Sequence, residues 1–510
     1  MSQAAIFTFH STDFEVHRNW LAITHSLPLS QWYVDKTSQW TLDYPPLFAW
    51  FEWLLAKVAV LFDPAMLEVN NLDYASPMTV LFQRLSVIFT DLLFIYAARL
   101  CAGQVGRTHG VGLVQPVFLL LVCNCGLLLV DHIHFQYNGF LLAFLLMTFC
   151  RILQGRHVEA TLWFSALLCL KHLFIYLAPA LLLYLLRVHC LRRMPGGGPV
   201  MWKSTAWATA QLALPALTVV AIAFGPFVIM GQLGQVLSRL FPFKRGLSHA
   251  YWAPNFWALY NTADWALAIL GRRAGLLGPS NSTLASTSGR VQELQFSVLP
   301  SPPPAAAFLL TAAAMAPGLV WVWRRGRAPW SAVRGAVLCG FCSFMFGWHV
   351  HEKAILLVII PLTCVLCGAY CLVSLHASYT LLCWRLLSLH WYPNDHKRLA
   401  PRRPLTLPLI STPQACYFLG LLPLLLLQVR PAPPAAAVEP NSPCQWTQTP
   451  PVSGAKLPLS VEHNFPCQWS QTPPVSGAKL PLSVEHNFPC QWSQTLPVSG
   501  AIFEQLYAAS

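Results

Sequence analysis

The chain has 510 residues, of which 55% are hydrophobic, 13% aromatic and only 10% charged, and its mean hydropathy is +0.50. Soluble domains carry roughly 25% charged residues, so a soluble globular fold is excluded and an all-α polytopic membrane protein is expected. The formal net charge of +13 does not mark a nucleic-acid binder, because the basic residues stand in short clusters between apolar segments, where membrane proteins keep their cytoplasmic anchors.

Residues 1–10 are too few, and lack the basic n-region, for a cleavable signal peptide. An acidic, aromatic opening follows: Ser11-Thr12-Asp13-Phe14-Glu15-Val16-His17-Arg18-Asn19-Trp20, then Trp40-Thr41-Leu42-Asp43-Tyr44-Pro45-Pro46. The Ser-Thr-Asp start suits a helix cap, and Asp43 suits the turn into the prolines. Carboxylates at a membrane surface can equally remove a proton from a hydroxyl nucleophile, one acting as base while the other orients the acceptor. The stretch 47–62 is apolar but carries Glu52 and Lys57, as an interfacial helix would.

Apolar segments are then predicted at about 79–100, 113–130, 139–153, 160–186, 205–230, 305–323, 335–348 and 354–375, with weaker ones at 378–390 and 414–428. The stretch 160–186 exceeds one span of ~20 residues and is broken by Lys171-His172, so it reads as two short or tilted helices. Arg99 and Arg107, Arg151 and Arg156, then Arg187, Arg192, Arg193 and Lys203, and finally Arg324, Arg325, Arg327 and Arg334 fall in alternate loops. The positive-inside rule makes those loops cytoplasmic. Every chemically suggestive cluster then lies on the other, luminal side.

Those clusters are Asp13, Asp43, Asp131-His132-Ile133-His134-Phe135-Gln136-Tyr137-Asn138, Lys171-His172, the loop 231–300, and His349-Val350-His351-Glu352-Lys353. The 131–138 run is either a polar turn between helices or a contact for a headgroup or sugar; a zinc site there would need a third and a fourth ligand placed by the fold. An ionisable residue in apolar sequence is costly enough to suggest a role for Lys171, although snorkelling also accounts for it. With Arg245 and Lys171, the 349–353 run can build the cationic pocket that a phosphate leaving group requires.

The loop 231–300 contains an Asn281-Ser282-Thr283 glycosylation acceptor, which agrees with a luminal face. Its runs Arg239-Leu240-Phe241-Pro242-Phe243-Lys244-Arg245-Gly246 and His249-Ala250-Tyr251-Trp252-Ala253-Pro254-Asn255-Phe256-Trp257 suit either anionic lipid headgroups or an interfacial aromatic belt. Cys339-x-x-Cys342 and Cys364-x-x-Cys367 have metal-like spacing but no polar setting, so packing between helices is expected of them. No P-loop, dinucleotide fingerprint or D-x-D pair occurs, which argues against a nucleotide-sugar donor held through a metal.

The organisation read from these features is a catalytic loop with interfacial helices over 1–78, a membrane module over 79–375, a divergent apolar segment over 376–430 and a tail over 431–510. In the tail, Pro443-Cys444-Gln445-Trp446 recurs at Pro466 and Pro489, a 23-residue period in proline-rich, near-identical units. That is low-complexity sequence, and no function is assigned to it.

Taken in order, the motifs around Asp13, Asp43, Asp131, Lys171-His172, Arg239–Gly246 and His349–Lys353 resemble those of the endoplasmic-reticulum glucosyltransferases that use dolichyl-phosphate glucose to build the N-glycan precursor. The resemblance covers residues of about 11–363. It implies a GT-C bundle with luminal catalytic loops in the endoplasmic-reticulum membrane and no cofactor. The donor would be dolichyl β-D-glucosyl phosphate and the acceptor a lipid-linked oligosaccharide, joined by inversion in an α-1,3 bond. It also implies that Asp13 is the general base, assisted by Asp43. Substrate-binding roles follow for Glu15, Arg18, Asp131, His132, His134, Gln136, Asn138, Lys171, His172, Arg245, His249, His349, His351, Glu352 and Lys353.

The Ser-Thr before Asp13 and the 249–257 run point to the members that add the second glucose, to Glc1Man9GlcNAc2. Addition of the first, to Man9GlcNAc2, is the alternative within the family. A membrane transporter and an inactive variant remain alternatives outside it. The family's first membrane helix is expected to be missing ahead of Asp13, and its later helices to be replaced after 363. Beyond membrane lipids and these lipid-linked substrates, no partner is indicated.

Overall fold

The structure is a computed structural model that describes residues 11–191, 200–241, 246–248, 253–277, 296–325 and 327–365. Its regular elements are helices: α1 (Thr12–Ser26), α2 (Pro46–Ala59), α3 (Pro77–His109), α4 (Val114–Val122), α5 (Cys125–Val130), α6 (Asn138–Leu153), α7 (His157–Leu170), α8 (Ala178–Leu185), α9 (Trp202–Ile229), α10 (Leu233–Leu240), α11 (Phe256–Arg273), α12 (Pro304–Arg325), α13 (Trp330–Phe346) and α14 (Leu356–Val365). Among the described residues, five stretches are long and apolar enough to cross a membrane: Pro77–His109, Val111–Leu128, His172–Cys190, Trp202–Ile229 and Pro304–Arg324. The shorter apolar helices α6, α7 and α13 complete the bundle.

Local chemistry explains the helix ends. At the start of α3, Ser76 accepts the Thr79 N–H and Pro77 supplies a preset φ where no N–H is needed. Gly110, at φ +117°, ends that helix in a conformation other residues avoid. The break expected inside 160–186 falls at Lys171: α7 stops at Leu170, a 3₁₀ turn covers His172–Leu177, and α8 resumes at Ala178. As expected, α2 is no candidate span; it buries Glu52 and stacks Lys57 on the Trp53 ring at 4.8 Å. The 231–300 region is more structured than a loop, since it contains α10 and α11.

In the bundle α3 packs on α6, α6 on α7, α7 on α9, and α13 on α12, α14 and α8. Gly335 of α13 faces Ala180 and Val322, so small residues let three helix backbones approach. The described cysteines of these helices do the same: Cys101, Cys150, Cys339, Cys342 and Cys364 are buried, with Cys101 and Cys364 sulfurs 3.4 Å apart. Outward faces are apolar, as on α3 at Leu85, Ile88, Phe89 and Leu92.

The basic clusters gather at one end. There Trp330 donates to Thr108, Arg151 and Arg156 pair with Glu159, and Arg187 lies over Trp323. The acidic and histidine clusters gather at the other. Alternate basic loops therefore share one end of the bundle, as the charge pattern predicts.

Candidate active site

The second residue of α1 is Asp13. Ser11 occupies the cap position but makes no side-chain cap bond, and the Asp13 carboxylate accepts 2.5 Å from Lys353 Nζ instead. The capping reading of this motif therefore fails: Asp13 serves a long-range ion pair across 340 residues. Burial pushes its pKa up, but Lys353, with His134 and Gln136, overrides burial and holds the carboxyl well below its usual range. Asp13 is a carboxylate at any physiological pH.

Gln136 also joins Asp13 to a second network. Its Oε1 accepts from Asn138 Nδ2 at 2.6 Å, and Asn138 Nδ2 donates to Asp131 at 2.7 Å as well. The remaining Asn138 oxygen accepts from Lys171 Nζ at 2.6 Å. Asp131, fully buried, also receives the backbone N–H groups of Asn138 and Gly139, which begin α6. Burial raises the Asp131 pKa against His132, Asn138 and Lys353. Lys171 is half-buried and lies over the Tyr44 ring at 4.9 Å. Burial lowers its pKa to about 8, opposed by Asp131, Asp13 and Asp43 and assisted by Lys353.

Asp43 stands within electrostatic reach of Lys171 and Arg239, and with burial it raises the pKa of Tyr33 and Tyr44. Among the described residues, the site gathers carboxyl groups from Asp13, Asp43 and Asp131 and ammonium groups from Lys171 and Lys353.

His349 has φ +52°, a left-handed conformation uncommon for a side-chain-bearing residue. Its N–H donates to Leu247 O at 2.8 Å, and its Nδ1 donates to Gly246 O at 2.7 Å, which ties the 349–353 run to residues 246–248. Phe135, at φ +57° in the 131–138 run, has the same backbone conformation. Such residues persist where the surrounding structure holds them, often at functional sites. His351 Nδ1 accepts the Lys353 N–H at 3.2 Å and lies 3.3 Å from Glu352. Burial, then Lys353, lowers its pKa well below the usual histidine value, so it is neutral and offers a hydrogen bond rather than a positive charge.

Other expected substrate residues do different work. Arg18 is fully buried, with its Nε and Nη2 on Glu15 at 2.6 and 2.7 Å and its Nη1 on the Met66 and Glu68 carbonyls. Glu15 and Arg18 therefore pin α1 to the Pro64–Leu67 turn and are not placed to meet a substrate. His172 packs edge-on against Phe241 at 5.2 Å, whereas Ser11 Oγ reaches the His134 carbonyl at 3.4 Å. Arg239 donates to the carbonyls of Tyr33, Val34 and Asp35, and buried Trp257 donates to those of Phe346 and Gly347. Neither is free for headgroups, nor does Trp257 sit in an interfacial belt. Arg192, Arg193, Lys244, Arg245, His249, Asn281 and Cys367 lie outside the described residues, as do the segments expected after 375 and the tail.

Two groups escaped the sequence reading. His17, ringed by Trp20, Phe48 and Tyr137, pairs with Glu52 at 2.8 Å beneath the site. Asp91, on α3, pairs with His132 at 2.9 Å. Asp91 could have been found, because a single acid within an apolar membrane segment is costly and needs a partner.

Residues 2–390 match the ALG6, ALG8 glycosyltransferase family, beyond both ends of the expected 11–363. The Mus musculus protein named dolichyl pyrophosphate Glc1Man9GlcNAc2 alpha-1,3-glucosyltransferase is 53% identical over 363 residues, 70% of this chain and 69% of its own length. The Drosophila melanogaster protein named as its probable counterpart is 53% identical over 356 residues, 69% of this chain and 67% of its own. An Arabidopsis thaliana protein of the same name is 42% identical over 388 residues, 73% and 72% of the two chains. These relatives are glycosyltransferases, which removes the transporter alternative. With its helical membrane bundle and its acid and ammonium groups gathered at one end, the chain belongs to the ALG6, ALG8 glycosyltransferase family, membrane enzymes of the GT-C type.

Proposed function

We propose that this chain transfers glucose from dolichyl β-D-glucosyl phosphate to the terminal glucose of lipid-linked Glc1Man9GlcNAc2. The product is an α-1,3 bond made at the luminal face of the endoplasmic-reticulum membrane, during N-glycan precursor assembly. The observation that carries this reading is the Asp13–Lys353 pair, 2.5 Å long, with Lys171 in the same electrostatic cluster. It unites an ionised base with the cations that a departing phosphate needs.

The acceptor 3-hydroxyl attacks the anomeric carbon of the donor from the face opposite the phosphate. A new carbon–oxygen bond forms as the anomeric carbon–phosphate oxygen bond breaks, which inverts β to α. Asp13 takes the hydroxyl proton, and dolichyl phosphate leaves with the bonding electrons. Phosphate leaves readily, so charge stabilisation replaces a general acid, and no cofactor is required.

Held by Lys353, Asp13 is ionised but weakly basic. A donor phosphate competes for the Lys353 ammonium, and its withdrawal restores basicity to Asp13 when substrate is present. Asp43, near Lys171 and Tyr44, orients the acceptor. Charge-assisted contacts from Lys171 hold the phosphate, and Asn138 and Gln136 keep both arms in register.

The acceptor assignment follows the names of the relatives; addition of the first glucose to Man9GlcNAc2 is the competing reading. Membranes containing the full chain, supplied with dolichyl-phosphate glucose and each lipid-linked acceptor in turn, distinguish them. Glucose added to Glc1Man9GlcNAc2 alone supports the proposal. Addition only to Man9GlcNAc2 replaces the acceptor, and no addition to either makes the chain an inactive variant.

A further inference from the structure

Asp91 lies 14 residues into α3, about 21 Å below its start at 1.5 Å per residue. The helix around it is apolar and its neighbours Ile88, Phe89 and Leu92 face outward. A carboxylate in such apolar helical sequence is costly unless a specific partner requires it. The partner is His132 Nε2, 2.9 Å from Asp91 Oδ2, in the 3₁₀ turn His132–His134. Asp131 Oδ2 lies 3.9 Å from the same Nε2.

The same acid meets the start of α6. A Cβ placed on Gly139 would collide with Asp91 Oδ1 and come within 3.4 Å of His132 Nε2. Glycine at 139 is what allows α3 to bring its carboxylate against this turn. Gly139 N–H and Asn138 N–H are both held by Asp131, and Asn138 in turn holds Lys171. Charges therefore alternate from α3 to the reaction centre: Asp91, His132, Asp131, and Lys171 through Asn138.

Resting on the glucosyl-transfer reading above, we infer that Asp91 is a positioning residue for the reaction: through His132 and the close approach at Gly139 it fixes the 131–139 turn that aims the Lys171 ammonium at the donor phosphate. The groups that charge His132 are Asp91 from α3 and Asp131 from its own turn. The opposing neighbour on α6 is uncharged Asn138, while Lys353 acts on Asp131 from the 349–353 run. Burial lowers the His132 pKa, but Asp91 outweighs it and raises the value above that of a free histidine. His132 thus stays positive to higher pH than it would alone.

The test compares wild type, Asp91→Asn and Gly139→Ala as full chains in membranes. Transfer is measured from pH 6 to 9, and dolichyl phosphate binding is followed in parallel by thermal shift. In Asp91→Asn, kcat should fall about ten-fold, which is ~1.4 kcal/mol, and the alkaline limb of both profiles should move to lower pH as His132 titrates more nearly as a free histidine. Gly139→Ala, which pushes Asp91 away from His132 without removing a charge, should reduce kcat and move the limb in the same direction by less. Wild-type pH profiles in Asp91→Asn would overturn the inference, whether or not the fold is weakened. If wild type binds dolichyl phosphate but transfers no glucose, the reaction assignment has failed; the binding profile of Asp91→Asn then still decides the role of Asp91.

Discussion

Lys353 Nζ approaches Asp13 Oδ2 at 2.5 Å, joining the first turn of α1 to the turn before α14. Both side chains are mostly shielded, at 15% and 25% exposure. The ion pair is therefore held in a protein environment, where charge–charge attraction is stronger than in water. In the proposed mechanism it is also the contact that the donor phosphate disturbs.

Asp13→Asn should lower glucosyl transfer by about 10²–10⁴-fold, the usual contribution of a general base. The substituted chain should remain in the membrane with near-normal donor binding. Incorporation of labelled glucose into lipid-linked oligosaccharide checks this, and full activity would remove Asp13 as the base.

Lys353→Met should raise KM for the donor and also move the acidic limb of the rate profile upward. Without Lys353, burial is opposed only by His134 and Gln136, so the Asp13 carboxyl protonates at higher pH. The sign for stability follows from the same shift. A depressed carboxyl pKa stabilises the folded state above its ordinary value of 3.8 and is lost as pH falls through the lower folded value. Rate and unfolding measurements between pH 3 and 7 read both effects.

For Lys171, activity and stability should move in opposite directions in alkali. Its ammonium loses its proton near pH 8 in the folded protein, against 10.5 ordinarily, so donor affinity should drop as pH rises through about 8. Between those values the unfolded chain binds more protons, and linkage then makes this residue's contribution to stability rise with pH. Lys171→Arg, which keeps its charge, should remove the component of the affinity limb near pH 8 and leave the component set by His132; an unchanged limb would assign it to groups other than Lys171.

Removing Arg18 should damage the site without touching it. Arg18→Ala leaves Glu15 buried and strips a donor from two carbonyls, a change of the kind that costs about 3–5 kcal/mol. The protein should unfold at lower temperature in detergent, and α1 should lose its anchor to the Pro64–Leu67 turn. An unchanged melting temperature would contradict the buried-anchor role.

The membrane class, the positions of most helices and the shared end of the basic loops were legible in the sequence, because each depends on local composition over a span's length. Lys171-His172 as a break between α7 and α8 belongs to the same level, since charge interrupts apolar periodicity where it stands. The motifs containing Asp13, Asn138, Lys171 and Lys353 could be marked as chemically suggestive for the same reason.

Partnership could not be read that way. Ser11-Thr12-Asp13 has the composition of a cap, yet Asp13 reaches a residue 340 positions away. Glu15 and Arg18 share a motif with Asp13 but face each other and the carbonyls beside them, because successive helix positions point in different directions. His351 looks like a cation until its burial beside Lys353 makes it neutral. Asp91 stood out in the sequence only as a lone acid in an apolar segment; the role inferred for it depends on a histidine in another segment and a glycine that makes room for it. Which residues can carry charge, and which segments are apolar enough to enter a membrane, were set by the sequence alone, since both are properties of single residues and short windows. Only the tertiary structure decided which charges neutralise, aim or activate one another, because those effects depend on distances of a few ångströms between segments far apart in the chain.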